Sequence, residues 1–464
     1  MAQVTATRLG SSPIRMDWTG VASVPAASGP MTVMSRSPSE AWDQLRGLFS
    51  RDEVGFYYAV TRDELSQLQA SRKLATEILT EGKITDVLFL GIGGSALGPI
   101  CLLSALEHRR KTSLRFHFVE NPDPVEWKIT LNKLNPSQTL VCAVTKSGGT
   151  FETISQLLLS LDWLGQQRWQ SNIIAITDPK KGDLRQFATD NKLRTLEISP
   201  SIGGRFSVFS PVGLFAAELA GLDTEAFLKG ASQVFDYCEK QPIEKNALMT
   251  FASELIRHGE SHPVHVCMPY SSRLRLIGDW FVQLWGESLG KDGKGFTPIG
   301  AVGATDQHSI LQLLRDGPDN KITWFVILGE VEDEVRIPKA PLSPTRGQYG
   351  SFELLQGHTL QELLMTEYRA TSLVLTKARR PQATFQIDVL DERSLGALFF
   401  AWSTLTAMTG ALWGVNAFDQ PGVEEGKIYT REALLQQQKE AIEARNAAQD
   451  DGNSPVRRLR RQED

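Results

Sequence analysis

The chain has 464 residues, enough for two or three ordinary domains, and a net charge of -5, which gives no field to draw in nucleic acid. With 41% hydrophobic and 22% charged residues it has the balance of a globular enzyme, not of a disordered chain. No unbroken apolar run reaches the roughly 18 residues that a membrane span requires. The N-terminal residues 1–40 are rich in Ser, Ala and Pro and nearly free of acids, and they read as a loose segment without the apolar core of a secretory signal. Helical spacing then runs from Pro38 to Glu81 through Leu65, Leu68, Leu74 and Ile78.

After Glu81 the period changes. Short β-rich runs stand at Val87–Leu90, Phe116–Val119, Leu140–Val144 and Ile173–Ile176, separated by helical stretches such as Phe151–Leu164. Helices over Ser210–Leu219 and Glu225–Tyr237 close this set. A second set has strand candidates at Val264–Met268, Pro298–Val302, Ile322–Leu328 and Thr384–Leu390. Its helices are expected over Arg273–Leu289, Ser309–Leu314, Leu360–Lys377 and Ser394–Trp413. Strands alternating with helices predict an α/β fold of two αβα sandwich domains with mainly parallel sheets, over 41–240 and 241–427. A polar helix over Thr430–Ala447 makes 428–464 a helical C-terminal arm, with a disordered end carrying Arg457, Arg458, Arg460 and Arg461 as a solvated basic tail. Cys101, Cys142, Cys238 and Cys267 lie far apart in mostly apolar segments, as reduced core thiols do, which suits a cytoplasmic protein.

Two glycine turns carry the first chemistry. Val87-Leu-Phe-Leu-Gly91-Ile-Gly93-Gly94-Ser95-Ala96-Leu97-Gly98 runs a strand through a glycine turn into a helix, whose free N–H groups suit an anion. It fits G-x-G-x-x-A, and Glu120 ends the next strand as a ribose-binding acid would, so a nicotinamide-dependent dehydrogenase is one reading. The second turn is Thr145-Lys146-Ser147-Gly148-Gly149-Thr150, followed by Thr153. One hydroxyl suffices to cap a helix, whereas this cluster with two glycines suits the three terminal oxygens of a phosphate monoester. A dinucleotide enzyme has no need of this second cradle. Gly148 and Gly149 predict a mobile loop with a weakened hold on the phosphate.

Three further motifs follow: Ile202-Gly203-Gly204-Arg205-Phe206-Ser207, then Gly278-Asp-Trp-Phe-Val-Gln283-Leu-Trp-Gly-Glu287-Ser-Leu-Gly290-Lys291, and finally Phe418-Asp-Gln420-Pro-Gly422-Val-Glu-Glu-Gly426-Lys427. With Gln307-His308 and the two turns, in this order, the chain resembles the sugar-isomerase family and, within it, the glucose-6-phosphate isomerases. The resemblance implies two sugar-isomerase-type domains, and reversible aldose–ketose isomerisation of glucose 6-phosphate and fructose 6-phosphate through a cis-enediol(ate). It implies no cofactor, and a homodimer in which His308 reaches the partner's site.

It also implies roles. Ser95, Thr145, Ser147 and Thr150 would hold the phosphate, with Gly94, Gly204 and Lys146 alongside and Gln420 lining the phosphate side. Arg205 would stabilise the enediolate, Gln283 would hold a sugar hydroxyl, Glu287 would shuttle the proton, and His308 with Lys427 would open the pyranose ring. Residue chemistry agrees with these roles. Gln283 and Glu287 are four apart and share one helical face, and one carboxylate can move a proton between adjacent carbons. Asp279, on the same helix, carries no such role, and His262 and His265, straddling Pro263, are expected to be structural. No His/Cys/Asp/Glu group has metal-ligand spacing. A sugar-phosphate sensor on the same fold would keep the phosphate turns and lack the base and ring-opening residues.

Overall fold

The computed structural model describes residues 6–25, 28–61, 66–339 and 350–452. They fall into two compact units, one ending at Phe418 and one beginning at Asp419.

The N-terminal segment is not loose. Thr7–Arg8 and Ile14–Asp17 are strands β1 and β2, paired antiparallel. Ile14 and Met16 alternate inward, and Arg8 and Arg15 both engage Asp388, at 2.9 and 3.0 Å. Composition hid these strands because only every second residue of so short a strand is apolar.

Five strands follow: β3 (Asp86–Leu90), β4 (Arg115–Val119), β5 (Thr139–Thr145), β6 (Ile173–Thr177) and β7 (Arg194–Glu197). They form an all-parallel sheet in the order β4-β3-β5-β6-β7. β3, β5 and β6 are buried at every position, as strands covered on both faces are. β7 lacks a sequence signal because Arg-Thr-Leu-Glu holds one apolar residue and lies at the sheet edge.

The second sheet adds β8 (Val264–Pro269), β9 (Thr297–Gly300), β10 (Lys321–Leu328) and β11 (Gln382–Ile387), in the order β1-β2-β11-β10-β8-β9. Its β8–β11 pairings are parallel and β2 joins β11 antiparallel. One apolar cluster takes Phe89 and Leu140 from the first sheet and Trp324 and Phe385 from the second.

The helix Glu392–Trp413 runs through that cluster. It is long and apolar enough to cross a membrane, although Ser, Thr and Gly break its apolar run, and its apolar window is wholly buried in the core. It packs on the Thr224–Lys240 helix through Gly230 and Gly396, where an added Cβ would lie 1.8 Å from the Arg393 carbonyl oxygen and 1.9 Å from that of Phe227. Those glycines set how closely the two helices approach.

In the second unit one long helix covers Pro421–Gly452, with Pro421 at its first position. It begins before the expected Thr430, so Lys427 lies inside this helix. Leu65 and the C-terminal basic run fall outside the described residues.

Candidate active site

The parallel sheet locates the site. Its chain runs from β3 outward to β4, then returns past β3 to build β5, β6 and β7 on the other side. Loops after β3 and β5 therefore diverge at the sheet's carboxyl edge and leave a crevice, the usual ligand position in such sheets. Both turns identified from the sequence are these loops.

After β3, Gly93 adopts φ +57°, and a short 3-10 turn over Gly93–Ser95 leads into the Leu97–Ala105 helix. A Cβ on Gly94 would sit 2.1 Å from the carbonyl carbon of Gly204, so the two backbones meet where no side chain fits. The Ser207 hydroxyl locks this contact by donating to the Gly94 carbonyl at 2.9 Å. Gly204 thus fills the space beside Gly94. Ser95 follows, half-buried at the mouth of the turn.

After β5, Thr150 sits at the N-cap of the Phe151–Leu164 helix, yet its side chain makes no capping bond. Its hydroxyl faces Thr145 at 2.7 Å and Ser147 at 3.2 Å, and Thr145 and Ser147 are 3.3 Å apart. Three hydroxyls therefore form a triangle beside an uncapped helix N-terminus. Thr153 stands apart, buried and without a hydrogen-bond partner among the described residues.

Of the two glycines expected to loosen this loop, Gly148 is packed against a neighbouring backbone. Gly148, at φ +72°, is buried, and an added Cβ would lie 2.8 Å from the Gly182 Cα. Its carbonyl accepts from the Leu184 N–H at 2.9 Å. Gly148 serves close backbone packing. Lys146, partly buried nearby, has its pKa lowered by burial, which Asp178 opposes and Arg205 reinforces.

Arg205 and the Arg275–Leu289 helix supply the rest. The Arg205 guanidinium is buried; Nε donates to Ser288 Oγ at 2.6 Å and Nη2 to the Ala417 carbonyl at 2.6 Å. Nη1 stands 3.3 Å from Glu287 Oε1. Gln283, one turn earlier, lies against Gly93, whose added Cβ would be 2.9 Å from its Nε2. Its Oε1 is buried with no hydrogen-bond partner among the described residues, an acceptor awaiting a donor. A narrow cleft is lined by Gly94, Gly204, Arg205, Trp280 and Gln283. A larger cavity of about 380 Å³, with Leu45, Leu48, Val415 and Phe418 in its wall, contains none of the predicted site residues.

Gly94, Gly204, Arg205, Gln283 and Glu287 are thus brought together, with Lys146 within electrostatic range of Arg205. His308 is not among them: it ends a 3-10 turn over Thr305–His308, exposed and without a hydrogen bond or ion pair to the described residues. Gln420 and Lys427 belong to the second unit, where Lys427 is exposed and pairs with Glu424 at 2.7 Å. Ser288, Ser207 and Gly182 were missed as site residues. The first two stand inside quoted motifs, but a lone serine gives no sign of which partner it holds. His262 and His265 are structural: His262 meets Asp319 at 3.2 Å, and Trp285 Nε1 donates to His265 Nδ1 at 3.1 Å. Asp279 is exposed, its pKa raised by partial desolvation.

The family model described as phosphoglucose isomerase matches residues 62–452. A glucose-6-phosphate isomerase of Rubrobacter xylanophilus is 44% identical over 83% of this chain and 90% of its own length. One from Thermus thermophilus is 39% identical over 76% of this chain and 84% of its own. Among solved structures, a hypothetical protein of Thermus thermophilus superposes with a TM-score of 0.79 at 35% identity, covering 86% of this chain and 94% of that one. A glucose-6-phosphate isomerase of Chlamydia trachomatis superposes at 0.73 and 21% identity, covering 93% and 90%. By its match to the family model and to these relatives over most of its length, this chain belongs to the phosphoglucose isomerase family.

Proposed function

We propose that Glu287 is the base that moves the proton in the reaction this chain catalyses, the interconversion of glucose 6-phosphate and fructose 6-phosphate. That reaction carries a proton between C1 and C2 through a cis-enediol(ate), so a single carboxylate on one face of the sugar serves both steps. The observation that carries the assignment is the 3.3 Å approach of the buried Arg205 guanidinium to the Glu287 carboxylate. A fixed cation there stabilises the negative charge that develops when Glu287 removes the proton. The unpartnered Gln283 Oε1, on the same helical face, accepts from a sugar hydroxyl.

The phosphate lies over the Thr145, Ser147 and Thr150 hydroxyls, with Ser95, the backbone at Gly94 and Gly204, and Lys146. An ammonium whose charge is disfavoured by burial gains from a dianion beside it. Gln420 lines the phosphate side, and His308 and Lys427 open the pyranose ring. His308 serves the partner's site in a homodimer, a role supported by its exposure and by its lack of hydrogen-bond or ion-pair partners among the described residues. The parallel strands β3–β7 and β8–β11 lie in two domains, 41–240 and 241–427, and the enzyme works in the cytoplasm, where its four free, buried thiols stay reduced.

The purified enzyme is expected to convert fructose 6-phosphate at a rate unchanged by a chelator, and Glu287→Gln to lose that rate while still binding the sugar phosphate. A near-normal rate for Glu287→Gln removes the assignment. Wild-type binding without turnover leaves a sugar-phosphate sensor.

A further inference from the structure

The segment that presents His308 is anchored far more firmly than the exposure of His308 suggests. Tyr270 follows β8 and is fully buried, edge-on to Phe325 at 5.8 Å and Tyr368 at 5.4 Å. Its ring lies under Gly303, where an added Cβ would come within 2.5 to 2.6 Å of three ring atoms. Its hydroxyl accepts from Gln307 Nε2 at 2.6 Å. The Gly303 N–H donates to the Pro269 carbonyl at 2.9 Å, joining the loop to the end of β8. On the other side, the Asp306 carboxylate accepts from the Val302 N–H at 2.7 Å and the Ser309 hydroxyl at 2.9 Å. The residues on either side of His308 are therefore tied by their side chains, and His308 alone is left free to act.

We infer that Tyr270 is a positioning residue for His308: through its hydroxyl on Gln307 and its ring beneath Gly303, it fixes where the imidazole stands when the sugar ring is opened. This rests on the reading of His308 as a ring-opening group. Proton transfer to a ring oxygen needs a donor within hydrogen-bond reach, and small misplacements are costly. A buried phenol bonded to the neighbouring residue supplies that constraint without touching the substrate.

Ring opening alone interconverts the α and β anomers of glucose 6-phosphate, whereas isomerisation also requires the base. Exchange NMR of the anomeric protons therefore reads the His308 step separately. Tyr270→Phe keeps the ring and removes the hydroxyl. It should lower enzyme-catalysed anomerisation and kcat for isomerisation together, by roughly tenfold, with KM and the thermal midpoint nearly unchanged. Gln307→Met removes the other half of the bond and should give the same loss, with the double variant no worse than either single one. Glu287→Gln should abolish isomerisation and spare anomerisation. If His308→Ala lowers anomerisation while Tyr270→Phe and Gln307→Met leave it within twofold of wild type, Tyr270 has no positioning role. A Tyr270→Phe loss that appears equally in KM and thermal midpoint overturns it too. If His308→Ala spares anomerisation, the reading of His308 fails and takes the inference with it.

Discussion

Arg205 and Glu287 form an uneven pair: the guanidinium side chain is 1% exposed, the carboxylate 21%, and Nη1 and Oε1 are 3.3 Å apart. A buried cation is stable only when paired and hydrogen-bonded. Ser288 Oγ and the Ala417 carbonyl hold Arg205 from two other directions. On the proposed assignment Glu287 is both counter-ion and base. When it takes the proton its own charge would disappear, and a negative charge would arise on the enediolate beside the same guanidinium. The field of Arg205 would then be used on both sides of the step, so little of the site would need to reorganise.

Glu287→Gln keeps the shape of the side chain and removes the base. Its kcat should fall by roughly 10²–10⁴, the usual worth of a positioned general base. Affinity for fructose 6-phosphate, measured by calorimetry, should stay within a few-fold because the phosphate turns are untouched. A parallel loss of affinity would show that the substitution had disturbed Arg205 instead.

Ser288→Ala removes one of the acceptors that fix Arg205. The expected effect is a fall of roughly tenfold in kcat, with KM little altered, since the guanidinium matters most once charge develops. A hydroxamate mimic of the enediolate should lose affinity by the same factor. If inhibitor binding is unchanged while kcat drops, Arg205 is not the stabilising cation.

Much of the fold was legible because its strands are covered on both faces and read as short apolar runs: β3, β5, β6, β8 and β10 lie within one or two residues of expectation. β1, β2 and β7 were not: β1 and β7 are short edge strands, β2 alternates inward and outward residues, and none carries an unbroken apolar run. The site divides in the same way. Strand–glycine–helix turns announce a ligand locally, so Gly94, Thr145, Ser147 and Thr150 could be proposed from spacing, and the fold places them on the two turns at the sheet's carboxyl edge. Ser288, Ser207 and Gly182 act through partners distant in the chain, and no local pattern encodes those. Gly148 shows the limit of composition: a pair of glycines suggests freedom, and only the fold reveals Gly182 packed against the first of them.

That contact yields a test of the phosphate cradle. Gly182 has φ +96°, and an added Cβ would lie 2.4 Å from the Ser147 carbonyl oxygen. Gly182→Ala must push the hydroxyl loop away. KM should rise by roughly tenfold or more while kcat changes less, because the phosphate is held about equally in ground and transition states. Inhibition by inorganic phosphate should weaken by a similar factor. Unchanged phosphate inhibition would place the anion elsewhere.

Stability should respond to acid through a histidine cluster remote from the chemistry. His258 is buried, its Nδ1 has no hydrogen-bond partner among the described residues, and its ring is 5.6 Å from that of His262. Burial first, then His262 and Arg257, lower its pKa to about 4 from 6.5. His265 is also pushed well down, by burial first, and His262 is lowered by burial against the opposing pull of Asp319. Because the folded pKa values lie below the unfolded one, the unfolded chain binds the extra protons. The stabilisation is complete above pH 6.5 and is lost as pH falls from there toward 4. Each excess proton contributes a slope of about 1.4 kcal/mol per pH unit. Asp86 acts in a different window. Burial opposes its ionisation, but hydrogen bonds from Arg115, Thr85 and His117 hold it at about 2, so its stabilisation is lost only below 3.8. Urea unfolding between pH 7 and pH 5 should therefore show a falling free energy, and His258→Asn should flatten that fall by about one proton. A slope unaltered in His258→Asn would mean that the acid sensitivity arises outside the cluster.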